Sequence, residues 1–213
     1  MRAAIFDLDG VIVDTAKYHY LAWKRLAKEL GFDFSEQDNE RLKGVSRMRS
    51  LEILLGVGGL EFPYPECEAM ATRKNGWYID YIRHMEPSEI FPGAVEYIEY
   101  LRRRGVRVAL ASASKNAPLI LDRLQIAGLF DAVVDGTKVS AAKPDPEVFL
   151  RASEELDIPA CDCVVFEDAE AGIEAARRAQ MRTVGVGKPA NLERADMVIT
   201  GFEHLLRVAL IET

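Results

Sequence analysis

Asp7 and Asp9, with Leu8 between them, follow the apolar run Ala3, Ala4, Ile5 and Phe6 and precede Gly10. A short β-prone run closed by glycine reads as a buried strand, and ligands of open α/β sheets bind beyond the carboxyl ends of such strands. A solvated aspartate, with an ordinary pKa of ~3.9, is ionised at neutral pH, so Asp7 is available as a nucleophile. Two carboxylates in close quarters separate their pKa values, which lets one attack while the other carries a proton to a leaving group. Asp-Gly is also an ordinary turn pair, so these acids need companions before they make a site.

Companions stand at three further strand exits. After residues 106–111 come Ser112, Ala113, Ser114, Lys115 and Asn116, and Pro118 then opens a helix. Hydroxyls, an amide and backbone N–H groups at a helix start can cradle a phosphate, although the same residues also serve as ordinary helix caps. Lys143 precedes Pro144 in a loop between a strand and a helix. A fixed ammonium there offsets phosphate charge and holds a nucleophilic carboxylate. Glu167 and Asp168 follow Phe166, and clustered oxygens at a strand exit suit magnesium, which binds through one or two carboxylates, waters and a substrate phosphate.

The elements that carry these groups alternate. Strands are expected at 106–111, 132–134, 163–166, 182–186 and 197–199, and helices at 92–104, 118–129, 146–156 and 169–179, several opening on proline. Such alternation implies right-handed crossovers and a parallel sheet with helices on both faces. From about 16 to 87 the pattern is helical throughout, over 17–30, 35–42, 48–54 and 67–83. The expectation is an α/β protein: a Rossmann-like parallel core built from 1–15 and 88–213, with a helical cap domain, 16–87, inserted near the carboxyl edge of the sheet. A lid in that place closes a site against water. Gly56-Val57-Gly58-Gly59 lacks the lysine and hydroxyl of a P-loop and reads as an interhelical turn, and Gly185-Val186-Gly187 fails as a dinucleotide fingerprint.

The acid pair, the serine, the lysine and the second acid pair resemble the four motifs of the haloacid dehalogenase superfamily. Within it, Phe6-Asp7-Leu8-Asp9-Gly10-Val11-Ile12-Val13-Asp14-Thr15 with His19 and Trp23, then Lys43-Gly44-Val45-Ser46-Arg47, and Ala111-Ser112-Ala113-Ser114-Lys115-Asn116 are similar to the β-phosphoglucomutases. The resemblance implies that Asp7 forms an aspartyl phosphate, that Asp9 is general acid and base, and that Ser112 and Lys143 complete the catalytic set. It implies Mg²⁺ on Asp7, Asp9, Glu167 and Asp168. Substrate contacts follow at Thr15, His19, Trp23, Lys43, Gly44, Val45, Ser46, Arg47, Ser114, Lys115 and Asn116, with Thr15, His19, Lys74 and Tyr78 near a hinge and gate. Arg47 offers bidentate recognition of a second, non-reacting phosphate. The implied reaction converts β-glucose 1-phosphate to glucose 6-phosphate through β-glucose 1,6-bisphosphate. A magnesium-dependent sugar-phosphate phosphatase shares the core acids and stays open as the alternative; a silent sugar-phosphate sensor is expected to lack one of them, and none is missing.

Composition fits a small globular protein. The 213 residues, 49% hydrophobic and 29% charged, suffice for one domain and a modest second lobe. A net charge of −7 argues against general affinity for nucleic acid or anionic membrane, so an anionic substrate must be held locally. No apolar stretch approaches the ~20 residues of a membrane span, and the expectation is a cytoplasmic monomer. Cys67, Cys161 and Cys163 lack Cys-x-x-Cys spacing, and Cys163 reads as a small hydrophobe in a strand.

Overall fold

The computed structural model describes residues 1–42 and 45–211; Lys43 and Gly44, expected at the substrate, lie outside the described residues. The elements run β1 (Ala3–Phe6), α1 (Ala16–Glu29), α2 (Glu36–Glu40), α3 (Arg47–Gly58), α4 (Tyr64–Ile82), α5 (Ala94–Arg103), β2 (Arg107–Ala111) and α6 (Ala117–Arg123). They continue with β3 (Ala132–Val134), α7 (Glu147–Leu156), β4 (Cys163–Glu167), α8 (Glu170–Arg178), β5 (Arg182–Val186), β6 (Met197–Ile199) and α9 (Phe202–Ile211). Two compact units result: Met1–Asp14 with Glu86–Thr213, and Thr15–Met85.

In the first unit the six strands form one sheet, ordered β3-β2-β1-β4-β5-β6 and parallel at every pairing. This is the α/β architecture the alternation predicts. β1 is central and all four of its residues are buried, which explains an apolar run without alternation. Phe6 pairs with Leu110 on one side and Phe166 on the other, so β1, β2 and β4 end in register. The residues that follow each strand therefore emerge along one edge.

Side chains on the two faces of the sheet build two packing layers. On one face Ala3, Ile5, Ala109 and Val165 pack with Val148, Phe149 and Ala152 of α7 and Ala175 and Ala176 of α8. On the other, the Phe6 ring stacks on Phe166 with centroids 4.5 Å apart, Phe202 of α9 tilts against that pair, and Tyr97 of α5 meets Phe166 edge-on. The sequence patterning did not identify α9, whose Phe202 is fully buried. Helix α6 stops at Arg123, short of the expected 129, because Gln125 turns to φ 59 before a 3-10 turn at Ala127–Leu129.

The second unit has its own core, in which Leu26 and Trp23 of α1, Leu51 and Leu54 of α3, and Met70 of α4 pack around Phe34. Ser35 caps α2 through a capping box with Asp38, and the Ser46 hydroxyl accepts the Arg49 N–H at the start of α3. One expectation is corrected here: Gly56, Val57 and Gly58 are the last turn of α3, and the turn begins at Gly59, whose φ of 63 ends the helix. The Phe32 ring fills the space a side chain at Gly58 would need, since a Cβ there would overlap it. Among the described residues no helix is long and apolar enough to cross a membrane.

Candidate active site

The chain leaves β1 under tight control. The Asp7 N–H donates to the Phe166 carbonyl at 3.0 Å and prolongs the strand pairing by one residue. The chain then folds back, with the Ile12 and Val13 N–H groups donating to the Leu8 carbonyl and the Gly10 N–H donating to Val13. Gly10 adopts φ +76, and a Cβ there would collide with the Asp168 carboxylate. Asp7 is buried and Asp9 half-buried, both at the carboxyl edge of the sheet.

Lys143 joins the strand exits. Its Nζ donates to Asp7 Oδ1 and to Glu167 Oε2, each at 2.7 Å, and sits 4.8 Å from the centre of the Phe149 ring. The second Glu167 oxygen, Oε1, accepts the N–H groups of Asp168 and Ala169, both at 3.1 Å. Both oxygens of Glu167 are thus engaged, and its carboxylate occupies the space where a side chain at position 172 would begin; a Cβ on Gly172 would overlap it. Gly172 and Phe149 are supporting residues that the motifs did not reveal. A glycine is a poorer helix former than alanine, and its presence early in α8 is the signal that could have found Gly172.

Electrostatics in this cluster are unbalanced. Burial pushes the Asp7 carboxyl up to about 8; Lys143 works against that shift, and Glu167 and Asp9 add to it. Asp168 is pushed up to about 9, by burial first and then by the neighbouring carboxylates of Glu167 and Asp7. Burial disfavours the Lys143 ammonium, yet the two carboxylates outweigh it and raise its pKa. Asp7, Glu167 and Asp168 bring carboxyl oxygens within 4.8 Å of one another, and the Lys143 ammonium contacts two of the three groups. Clustered hard oxygen donors whose protons a cation can displace fit a divalent metal ion.

The segment after β2 lies along the same edge. Ser112 is buried and its hydroxyl accepts the Ser114 N–H at 3.1 Å, while the Ser114 hydroxyl accepts the Asn116 N–H at 3.2 Å. Asn116 is the N-cap residue of α6 without a side-chain cap bond, and Lys115 is exposed. The hydroxyls therefore shape this loop through its own backbone amides.

The second unit assembles a different set. Lys74, in α4, is buried, and its Nζ lies 2.8 Å from His19 Nδ1 in α1. The His19 ring stacks on Tyr78 with centroids 4.0 Å apart, and the Lys74 ammonium lies 4.3 Å from the Trp23 ring centre. Trp23 belongs to the core of this unit. Thr15 is buried at the start of α1, where its carbonyl accepts the Tyr18 and His19 N–H groups. Arg47 is the first residue of α3, and it, Val45 and Ser46 are exposed. Burial, then the charges of Lys74 and Arg47, hold His19 well below its ordinary pKa.

Comparison with known proteins gives the same direction. The family model described as haloacid dehalogenase-like hydrolase matches residues 1–180. The chain is 46% identical over 201 residues to a protein of Bacillus subtilis named beta-phosphoglucomutase, covering 93% of this chain and 89% of that one. It is 30% identical to a phosphorylated carbohydrates phosphatase of Thermotoga maritima over 98% of both chains. Among solved structures, a beta-phosphoglucomutase from Clostridium difficile superposes with a TM-score of 0.92 at 40% identity, over 100% of this chain and 96% of the other.

Proposed function

The chain belongs to the haloacid dehalogenase-like hydrolase family, and from that premise we propose that it interconverts β-D-glucose 1-phosphate and D-glucose 6-phosphate through an aspartyl phosphate and β-glucose 1,6-bisphosphate. Net isomerisation here is an intramolecular phosphotransfer. The observation that carries the choice of a mutase is the 46% identity with the Bacillus subtilis mutase over nearly the whole chain, against 30% with the Thermotoga maritima phosphatase.

Asp7 is the nucleophile. Lys143 holds one of its carboxylate oxygens, leaving the other to attack phosphorus. In the first half-reaction the sugar C6 hydroxyl attacks the phosphorus of phospho-Asp7, its proton passes to Asp9, and the bond between phosphorus and the Asp7 oxygen breaks. The bisphosphate then presents its C1 phosphate to Asp7; the C1 oxygen leaves with a proton from Asp9, and glucose 6-phosphate results. Lys143, Ser112 and the Ser114 region offset charge on the equatorial oxygens. The phosphate that is not reacting is assigned alternately to Arg47 and to Ser114, Lys115 and Asn116.

Mg²⁺ is the cation assigned to the acidic cluster, where Asp7, Asp168 and the Asp9 backbone carbonyl would hold it, with Glu167 contributing directly or through water. When bound it supplies electrostatic stabilisation of the anionic nucleophile and phosphate. Thr15, His19, Lys74 and Tyr78 are assigned to gating, which protects the phosphoenzyme from water until a sugar arrives. The reading also makes the protein a cytoplasmic monomer with a small phosphosugar as its partner.

The test is incubation with Mg²⁺, β-glucose 1-phosphate and a trace of β-glucose 1,6-bisphosphate, following glucose 6-phosphate and inorganic phosphate together. Glucose 6-phosphate with little free phosphate is expected. Phosphate release without isomerisation would overturn the mutase in favour of a sugar-phosphate phosphatase.

A further inference from the structure

We propose that Glu147, outside the acid, lysine and serine motifs, is the positioning residue that sets Lys143. Glu147 is the first residue of α7, and its Oε2 accepts three hydrogen bonds: from the Ser140 N–H at 2.9 Å, the Ser140 hydroxyl at 2.9 Å and the Ala141 N–H at 2.8 Å. The loop is closed again farther along, since the Asp145 N–H donates to the Ala142 carbonyl and the Glu147 N–H donates to Asp145 Oδ1. Lys143 lies inside this closed segment of 140–147, and the same helix turn supplies Phe149, whose ring lies beside its ammonium. A lysine carries a flexible four-carbon stem with many rotamers, so its reach to two buried acids depends on where its backbone is held. Glu147 holds the chain two and three residues before Lys143, and Asp145 holds it two residues after.

A generic alternative exists for any acid in a helix first turn, namely favourable interaction with the helix dipole. The two roles differ in what they require. The dipole needs the negative charge, whereas the loop staple needs an acceptor oxygen at the end of a side chain of this length. Glutamine supplies the oxygen without the charge.

The inference rests on the phosphotransfer reading of the site, so the experiment follows glucose 6-phosphate and inorganic phosphate in parallel for wild type, Glu147→Ala, Glu147→Gln and Lys143→Met. A wild type that only releases phosphate overturns the mutase reading alone, because the Glu147 effect is then read on phosphate release. The expected result is a kcat lowered between about tenfold and a hundredfold by Glu147→Ala, with KM within about twofold and most of the rate restored in Glu147→Gln. In the Lys143→Met background, Glu147→Ala should change the residual rate by less than about twofold, since a positioning residue has nothing left to position. Wild-type kcat in Glu147→Ala, no recovery in Glu147→Gln, or a loss that multiplies independently in the Lys143→Met background each overturns the proposal. If Lys143→Met does not fold, the alanine and glutamine comparison decides the matter alone.

Discussion

Lys143 Nζ lies 2.7 Å from Asp7 Oδ1, with both side chains almost wholly removed from water at 6% and 8% exposure. A buried pair of this kind is valued by what its loss leaves behind. Removing one partner strands the other charge in a poorly solvated place, at a cost of about 3–5 kcal/mol.

Lys143→Met therefore leaves two carboxylates, Asp7 and Glu167, without their shared ammonium. The kcat is expected to fall about 10²–10³-fold, the scale seen when a preorganised donor to a reacting centre is deleted. Stability should fall as well, since the two acids lose the ammonium that donates to both of them. Melting curves without added metal check this; an unchanged melting temperature would show that the ammonium does not hold the acidic cluster together.

In the metal-free protein Asp7 and Asp168 titrate at about 8 and about 9, well above their ordinary carboxylate values. A pKa raised on folding means that the native state binds protons more tightly than the unfolded chain. Their contribution to stability is thus full below about pH 4 and is lost as pH rises through 8 and 9. Cation binding must displace these protons. Mg²⁺ should therefore bind more tightly at pH 8 than at pH 6 and release protons as it binds, and the metal-induced rise in melting temperature should grow over that interval. Calorimetry in buffers of different ionisation enthalpy measures the protons released; none released at pH 7 would remove these carboxyls from the metal site.

The sequence revealed the acids at the strand exits because a parallel sheet buried on both faces forces apolar runs, and the first polar residues after each run are conspicuous. Asp7, Ser112 and Glu167 stand out for that reason. What it concealed depends on contacts distant in the chain. Gly172 reads as a weak spot in a helix until Glu167 is found in the space its side chain would fill. The break after α6 falls on Gln125, where neither glycine nor proline announces a positive φ. His19 and Lys74 are 55 residues apart, and no periodicity brings an imidazole and an ammonium to 2.8 Å.

Two glycine substitutions separate helix propensity from site geometry. Gly76 lies exposed in α4 with open space around a new Cβ, so Gly76→Ala should stabilise the protein by about 0.5–1 kcal/mol. Gly172→Ala makes the same propensity gain but drives a methyl group into the Glu167 carboxylate. A net loss of about 1–3 kcal/mol is expected there, together with reduced turnover as Glu167 is displaced from Lys143. Equal stabilisation by both substitutions would show that Glu167 moves aside without cost.

Asp9 is half-buried in the fold-back after β1, and its carboxyl is assigned the proton transfers at the sugar oxygen. Asp9→Asn keeps the shape and the backbone carbonyl but removes the exchangeable acid. Mg²⁺ and bisphosphate binding should persist within a few-fold while turnover falls by about 10²–10⁴, the usual worth of a general acid–base group. Wild-type turnover in this variant would transfer the proton step to another residue.

Lys74 is 2% exposed, with its ammonium beside the His19 imidazole and above the Trp23 ring. Burial, then the charge of Arg47, lowers its pKa well below the ordinary value, and His19 is lowered by burial and then by Lys74 and Arg47. Folded pKa values below the unfolded ones mean that both groups contribute stability above their unfolded pKa and lose it as pH falls through the folded values. Near neutrality the pair thus weighs against the folded state, and an apolar chain of similar length removes that weight. Lys74→Met should leave the melting temperature unchanged or raised at pH 8, with a larger gain at pH 5.5, because His19 no longer faces an ammonium as it takes up its proton. If the pair also serves as the gate, the same variant and His19→Ala should lengthen the approach to steady turnover while substrate binding persists. A fall of several degrees in melting temperature at both pH values would show that Lys74 holds the helical unit together; unaltered progress curves would remove both residues from the gate.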